Sequence, residues 1–241
     1  MRRVVKALMG VGSIAMTVGC GSNSEPLSTP VTSIDELRGL FTRAASSERT
    51  WTVAQTDTFL SSDPITCKVQ ASPVKASDCR QRVNATVGDS HTITFPDAQF
   101  LEVTHQLGGG DGMWYRYGAD IPELANSFRY SWADLDTAFY FLPGVATIAS
   151  THSDQIDGKD VTRYDLDINT QAPRALPAGA SKDTTETVQV WIGAKDLPVR
   201  AVIRTNSAST GESVTTTTYR DWGQSLDIQP PPADKTQPGP H

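Results

Sequence analysis

From Trp51 onward apolar and polar residues alternate through much of this chain, and that period of two limits what it can fold into. Between Phe100 and Leu107 the apolar Leu101, Val103 and Leu107 alternate with Glu102, Thr104 and Gln106. Tyr164, Leu166 and Ile168 stand against Arg163, Asp165 and Asp167. Val188, Val190 and Ile192 stand against Gln189 and Trp191, and Val199, Ala201 and Ile203 against Arg200 and Arg204. Successive strand side chains point to opposite faces, so each segment has one apolar and one largely polar face. Turn residues separate the runs: Gly108 to Gly112 leads into Met113-Trp114-Tyr115-Arg116-Tyr117, and Asp157-Gly158 and Gly193-Ala194-Lys195-Asp196 punctuate the later ones. Antiparallel strands joined this way predict one large sheet that faces water on one side only.

The apolar side needs a cover, and two stretches have helical spacing. Ile34, Leu37, Leu40 and Phe41 follow Ser33, with Glu36 three residues after it, a capping box opening a short helix. Trp132, Leu135, Phe139 and Leu142 predict a helix over 130–142; Pro143 interrupts it, and 144–150, with Val145, Ile148 and Ala149, is expected to resume it at an angle. The fold class is therefore α+β, a large antiparallel sheet with short helices over its apolar face. This helical pair is expected to wall an apolar cavity opposite Val190, Ile192, Val199, Ala201 and Ile203, although a filled core would have the same composition.

The N-terminus sets the compartment. Residues 1–19 combine Arg2, Arg3 and Lys6 with an apolar run from Val4 to Val18, the pattern of a secretory signal too short to span a bilayer. Thr17-Val18-Gly19-Cys20 is similar to the lipobox of bacterial lipoproteins, with Thr17 where Leu is usual, so Cys20 is the expected lipidation site and the expected first residue of the mature chain. The alternative is a secreted protein without an anchor. Residues 20–32 are polar and rich in Ser, Gly and Pro, a tether. One core domain is expected over 33–228, and a disordered Pro-rich tail over 229–241. The chain holds 21 Lys and Arg against 27 Asp and Glu, a net charge of −6, and loss of the three basic residues before Cys20 makes it −9. That balance argues against nucleic acid as a partner and predicts a body that stands off anionic lipid.

Thiols outside the cytosol are expected to pair. Cys67 and Cys79 lie symmetrically about Pro73 on two segments suited to be arms of a hairpin, so a structural disulfide is expected there; a redox pair or metal ligands are the rival readings. Catalytic signals are sparse. His91, His105, His152 and His241 form no H-x-x-H or H-E-x-x-H pair, and no G-x-S-x-G elbow occurs. Asp165-Leu166-Asp167-Ile168-Asn169 imitates a calcium loop but has Thr170 and Leu176 where Gly and Glu belong. No metal, no cofactor and no enzymatic activity are expected, with a hydrolase assembled from distant residues as the remaining enzymatic alternative.

Taken together, the lipobox, the tether, Val190-Trp191-Ile192 followed by Leu197-Pro198-Val199-Arg200, and Tyr219-Arg220-Asp221-Trp222-Gly223 before a Pro-rich end resemble the LppX/LprG-type lipoproteins of actinobacterial cell envelopes. The resemblance covers nearly the whole chain after the signal; Cys67, Cys79 and a longer Pro/Ala/Gly stretch over 171–183 depart from the family pattern. It implies a curved half-barrel related to the LolA/LolB carriers, with helices on the concave side and an apolar cavity for acyl chains. The implied function is a non-catalytic envelope lipoprotein, held in the membrane by a diacylglyceryl group on Cys20, that binds or shuttles a lipid or glycolipid. A sensor or adaptor that uses the same fold to bind another envelope protein is the alternative.

Overall fold

The computed structural model describes residues 28–58, 61–84, 88–103, 112–118, 145–168, 184–208 and 211–239. Helix α1 (Ile34–Glu48) opens on the capping box: Ser33 Oγ accepts from the Glu36 N–H at 3.2 Å, and the Glu36 carboxylate accepts from the backbone N–H groups of Thr32 and Ser33 at 3.0 and 3.2 Å. Those backbone donors, Thr32 first, hold the Glu36 carboxyl below its usual range. The helix ends where Arg49 turns left-handed (φ 65°) and donates to Ala45 O. The next residue already begins a strand.

Twelve strands follow: β1 (Thr50–Asp57), β2 (Ser61–Gln70), β3 (Ala76–Asn84), β4 (Gly88–Thr94), β5 (Ala98–Val103), β6 (Met113–Gly118), β7 (Val145–Ile156), β8 (Lys159–Ile168), β9 (Thr184–Ile192), β10 (Pro198–Ser207), β11 (Gly211–Arg220) and β12 (Thr236–Pro238). They form one sheet in the order β12-β6-β5-β4-β3-β2-β1-β11-β10-β9-β8-β7. Every pairing is antiparallel except β12 on β6. Among the described residues the sheet does not close on itself; it is a curved, open half-barrel with β12 and β7 at its edges. Asp157 (φ 52°) and Gly158 (φ 73°) join β7 to β8, both left-handed as a two-residue hairpin turn of matching twist requires.

The main core lies on the face that α1 covers. Leu37, Leu40, Phe41 and Ala45 of the helix meet Trp51, Val53, Cys67, Val69, Tyr164, Leu166, Val188, Val190, Ile192, Ala201, Ile203 and Tyr219, all buried. Full burial of such an aliphatic or aromatic side chain contributes roughly 1.5–3 kcal/mol, so this layer is the main source of stability. Two smaller clusters sit on the opposite, convex face: Ala76, Ile93, Ala98, Phe100 and Trp114 under Ile228, and Val161, Trp191 and Val202.

Three expectations are corrected. Residues 145–150, expected as a second short helix, are the first half of β7. Val199 does not share a face with Ala201 and Ile203, because a bulge between Pro198 and Arg200 turns it to the convex side beside Val161, Trp191 and Val202. The tail over 229–241, expected as disordered, contains a 3-10 turn (Ala233–Lys235) and strand β12 paired with β6.

Candidate functional site

Register shows how the concave face is laid out, since residues directly opposite in an antiparallel ladder share a face. One row runs Thr217, Ala201, Val190 and Tyr164 across β11, β10, β9 and β8. A parallel row carries Ile203, Val188, Leu166 and Ile148, ending on edge strand β7. Another runs from Tyr219 and Val53 through Cys67 and Cys79 to Thr92, Leu101 and Tyr115. The rows under α1 are apolar and densely filled: Val53, Val190 and Leu37 are 0% exposed. Toward β4, β5 and β6 the same face becomes more polar and half-buried, with Thr92, Thr94, Gln99, Leu101 and Tyr115. Gln99 Nε2 donates to Thr94 Oγ1 there at 3.3 Å.

Tyr164 fixes where the N-terminal segment meets this face. Its ring is buried in the core, its hydroxyl accepts from the Val31 N–H at 3.1 Å, and burial pushes its phenol pKa up. Beside that contact a cleft of about 560 Å³ opens between the first turn of α1 and β7, lined by Ser33, Ile34, Arg38, Thr147 and Ile148. It lies at the rim of the face that α1 covers, beside Thr32.

Cys67 and Cys79 stand directly opposite on β2 and β3, with Cα atoms 4.0 Å apart and their sulfurs bonded. Val190, Ile192, Ala201 and Ile203 come together on the concave face, as alternation predicts, and Ile148 packs against them. Val145 begins β7 opposite Ile168. Cys20, Trp132, Leu135, Phe139 and Leu142 lie outside the described residues, so the wall expected from 130–142 does too.

Two polar groupings on the convex face escaped the sequence reading. Ser150, His152 and Asp165 converge on β7 and β8: Ser150 Oγ is 2.8 Å from Asp165 Oδ2 and 2.9 Å from His152 Nε2, which is itself 3.0 Å from Asp165 Oδ2. A nucleophile relay needs Ser and Asp on opposite ring nitrogens. Here both meet Nε2, so this arrangement is not a triad. Burial would raise the Asp165 carboxyl, but hydrogen bonds from Ser150 and Gln189 and the charges of Arg163 and His152 outweigh it and hold it low. Nearer the other edge His91 bridges three strands, with Nε2 2.7 Å from Asp78 Oδ1 and Nδ1 3.0 Å from Glu102 Oε2, and packs edge-on against Trp114. No spacing rule joins these residues in sequence; only the strand order does. Among the described residues no group of three His, Cys, Asp or Glu side chains is placed to hold a metal ion.

An open, mostly antiparallel half-barrel with a helix packed on one face is the LppX/LprG-type, LolA-like fold. Solved structures with this fold include LprF from Mycobacterium bovis, matched over 83% of this chain and 99% of that one at 14% identity with a TM-score of 0.54. The Mycobacterium tuberculosis lipoprotein LppX matches over 81% and 99% at 19% identity, with a TM-score of 0.52. No protein-family model and no curated protein matches the sequence.

Proposed function

We propose that this chain is an envelope lipoprotein, anchored through Cys20, that holds the acyl portion of a lipid or glycolipid between the concave face of its sheet and the helix expected over 130–142, with no catalytic step. The observation that carries this reading is that the sheet stays open and that its inner face continues beyond the core packed under α1 to the half-buried apolar Ile65, Leu101, Ile148 and Ile168. The fold shared with LppX, itself a lipoprotein, supports it. Carrying a sixteen-carbon chain through water costs on the order of 12 kcal/mol at about 0.8 kcal/mol per methylene, so such a carrier has only to supply a dry enclosure. The test is mass spectrometry of organic extracts from protein purified without its anchor. Copurifying acyl lipid in near-equimolar amount is the expected result, and a lipid-free extract overturns the reading.

A second reading, an adaptor that binds another envelope protein, is favoured by one feature. The concave face beneath α1 is filled, not hollow, with Leu37, Trp51, Val53 and Val190 each 0% exposed. If the stretch 130–142 closes the remaining face in the same way, the fold presents surfaces and not a lumen.

A further inference from the structure

The acid excess of the chain is not spread over its surface. On the convex face, register brings Arg80 of β3, Lys68 and Thr66 of β2, Thr52 and Ala54 of β1, Thr218 and Arg220 of β11, and Arg200 of β10 side by side. Lys68, Arg80 and Arg220 are exposed and Arg200 is half-buried. None of the four forms a direct ion pair among the described residues, although Lys68 faces Asp78 across the β2–β3 ladder; the Arg200 guanidinium lies 5.9 Å from the centre of the Trp191 ring, with its Nε buried and without a hydrogen-bond partner. The floor between them consists of Thr52, Ala54, Thr66 and Thr218, without a carboxylate. The acids around it each hold another partner: Asp78, opposite Lys68, meets His91, Asp154 accepts from the Trp191 indole, and Asp221, next to Arg220 in the chain, accepts from Gln224 Nε2. Four inter-strand steps of about 4.8 Å separate Arg80 from Arg200, so the four cations span roughly 20 Å.

We propose that this convex patch, Lys68, Arg80, Arg200 and Arg220, docks the body on an anionic lipid surface. A broad array of four cations without a direct ion pair, over a floor of small neutral side chains, fits a layer of phosphate headgroups. Protein interfaces instead centre on a desolvated aromatic or apolar anchor, and the nearest candidate, Trp191, is buried at the margin. Each cation close to an anionic leaflet strengthens binding by about fivefold, and the gain fades within a Debye length as salt rises. The acidic balance that predicts repulsion thus coexists with one attractive face, and docking there directs the concave face away from the bilayer. The inference does not depend on the concave face holding lipid.

The test uses the whole chain reconstituted with vesicles of phosphatidylcholine alone or with 30% phosphatidylglycerol, and reads acylation of Lys68 by a water-soluble reagent with exposed Lys159 as internal control. Lys68 labelling is expected to slow about fivefold on the anionic vesicles only, to recover in 0.5 M salt, and to recover in the Arg80→Gln/Arg220→Gln variant, whose altered side chains are exposed and unlikely places for a folding defect to arise. Arg38→Gln, on α1, should keep the protection. Equal Lys68 rates on both compositions, slowing shared by Lys159, or protection retained in the double variant overturns the proposal. Protection of Lys68 by soluble polyglutamate but not by anionic vesicles overturns it too, and assigns the face to an acidic protein.

Discussion

The indole N–H of Trp222 donates to the carbonyl of Pro198 at 3.0 Å, joining to each other the two sequence signatures that lie late in the chain. Trp222 also stacks on Trp51 with ring centroids 5.1 Å apart, while Gly223, left-handed at φ 74°, donates its N–H to Thr50 O at 3.0 Å. The closing Tyr-x-Asp-Trp-Gly segment is thus a clamp: Tyr219 fills the core, Trp222 holds the bulged start of β10, and Gly223 ties the end of β11 to the start of β1. Trp222→Phe keeps a ring on Trp51 and loses only the donor, and should cost about 1 kcal/mol. Trp222→Ala, which also removes the stacking, should cost about 2–3 kcal/mol. Urea denaturation of the two variants checks the order.

Cys67→Ala/Cys79→Ala should lower stability by about 2–4 kcal/mol, because the bridge closes a loop within the β2–β3 hairpin and Cys67 is itself fully buried. A reducing agent should shift the wild-type urea midpoint in the same direction and leave that of the double variant unmoved. An unchanged wild-type midpoint under reduction would contradict the bridge.

The Asp78 carboxyl is held below its usual range, first by its hydrogen bond to His91 and then by the charges of His91, Arg80 and Lys68, against a desolvation penalty. A carboxyl depressed in the folded state stabilises it above the unfolded value, near pH 4, and that contribution fades as pH falls through the lower folded value. Acid unfolding of the wild type should therefore steepen below about pH 4. Asp78→Asn should lower stability at pH 7 and flatten that acid limb; parallel pH profiles for the two proteins would show that the contact contributes nothing.

Gly239 shows how the tail is seated. A Cβ placed there would run into the Tyr117 ring, and the Gly239 N–H donates to Arg116 O at 2.9 Å. Gly239→Ala should loosen β12 from β6, read as faster hydrogen exchange over 233–239 with exchange in β8 to β10 unaltered.

Alternation made the sheet legible because β8, β9 and most of β10 present one face to a filled core, and the capping box made the start of α1 legible because its hydrogen bonds are local. The failures share a cause. Register shifts between Val145 and Thr147 and between Ile148 and Ser150 place Val145 opposite Ile168 and Ile148 opposite Leu166, so residues three apart occupy equivalent ladder positions. That spacing imitates a helix. The bulge at Val199 inverts its face in the same way, and a bulge leaves no mark on a pattern of residue types. The pairing of β12 with β6 joins positions more than a hundred residues apart, where no periodicity reaches. Of the candidate site, the inner-face residues of β9 and β10 could be read in advance; the convex cations could not, because their neighbourhood is set by strand order alone.

The filled and the proposed hollow parts of the concave face can be separated by two enlargements. Ala201 is 2% exposed among Val190, Tyr219 and the other core residues, so Ala201→Leu has nowhere to place its added carbons and should destabilise by about 1–3 kcal/mol through overpacking. Any copurifying lipid should be retained, because that site is already occupied by protein. Leu142→Trp tests the other wall. If the stretch 130–142 and the sheet enclose a ligand space, the indole enters it, lipid yield falls several-fold and the urea midpoint moves little. If that space is packed, the variant loses stability as Ala201→Leu does and the wild-type extract contains no lipid, which leaves the adaptor reading in front.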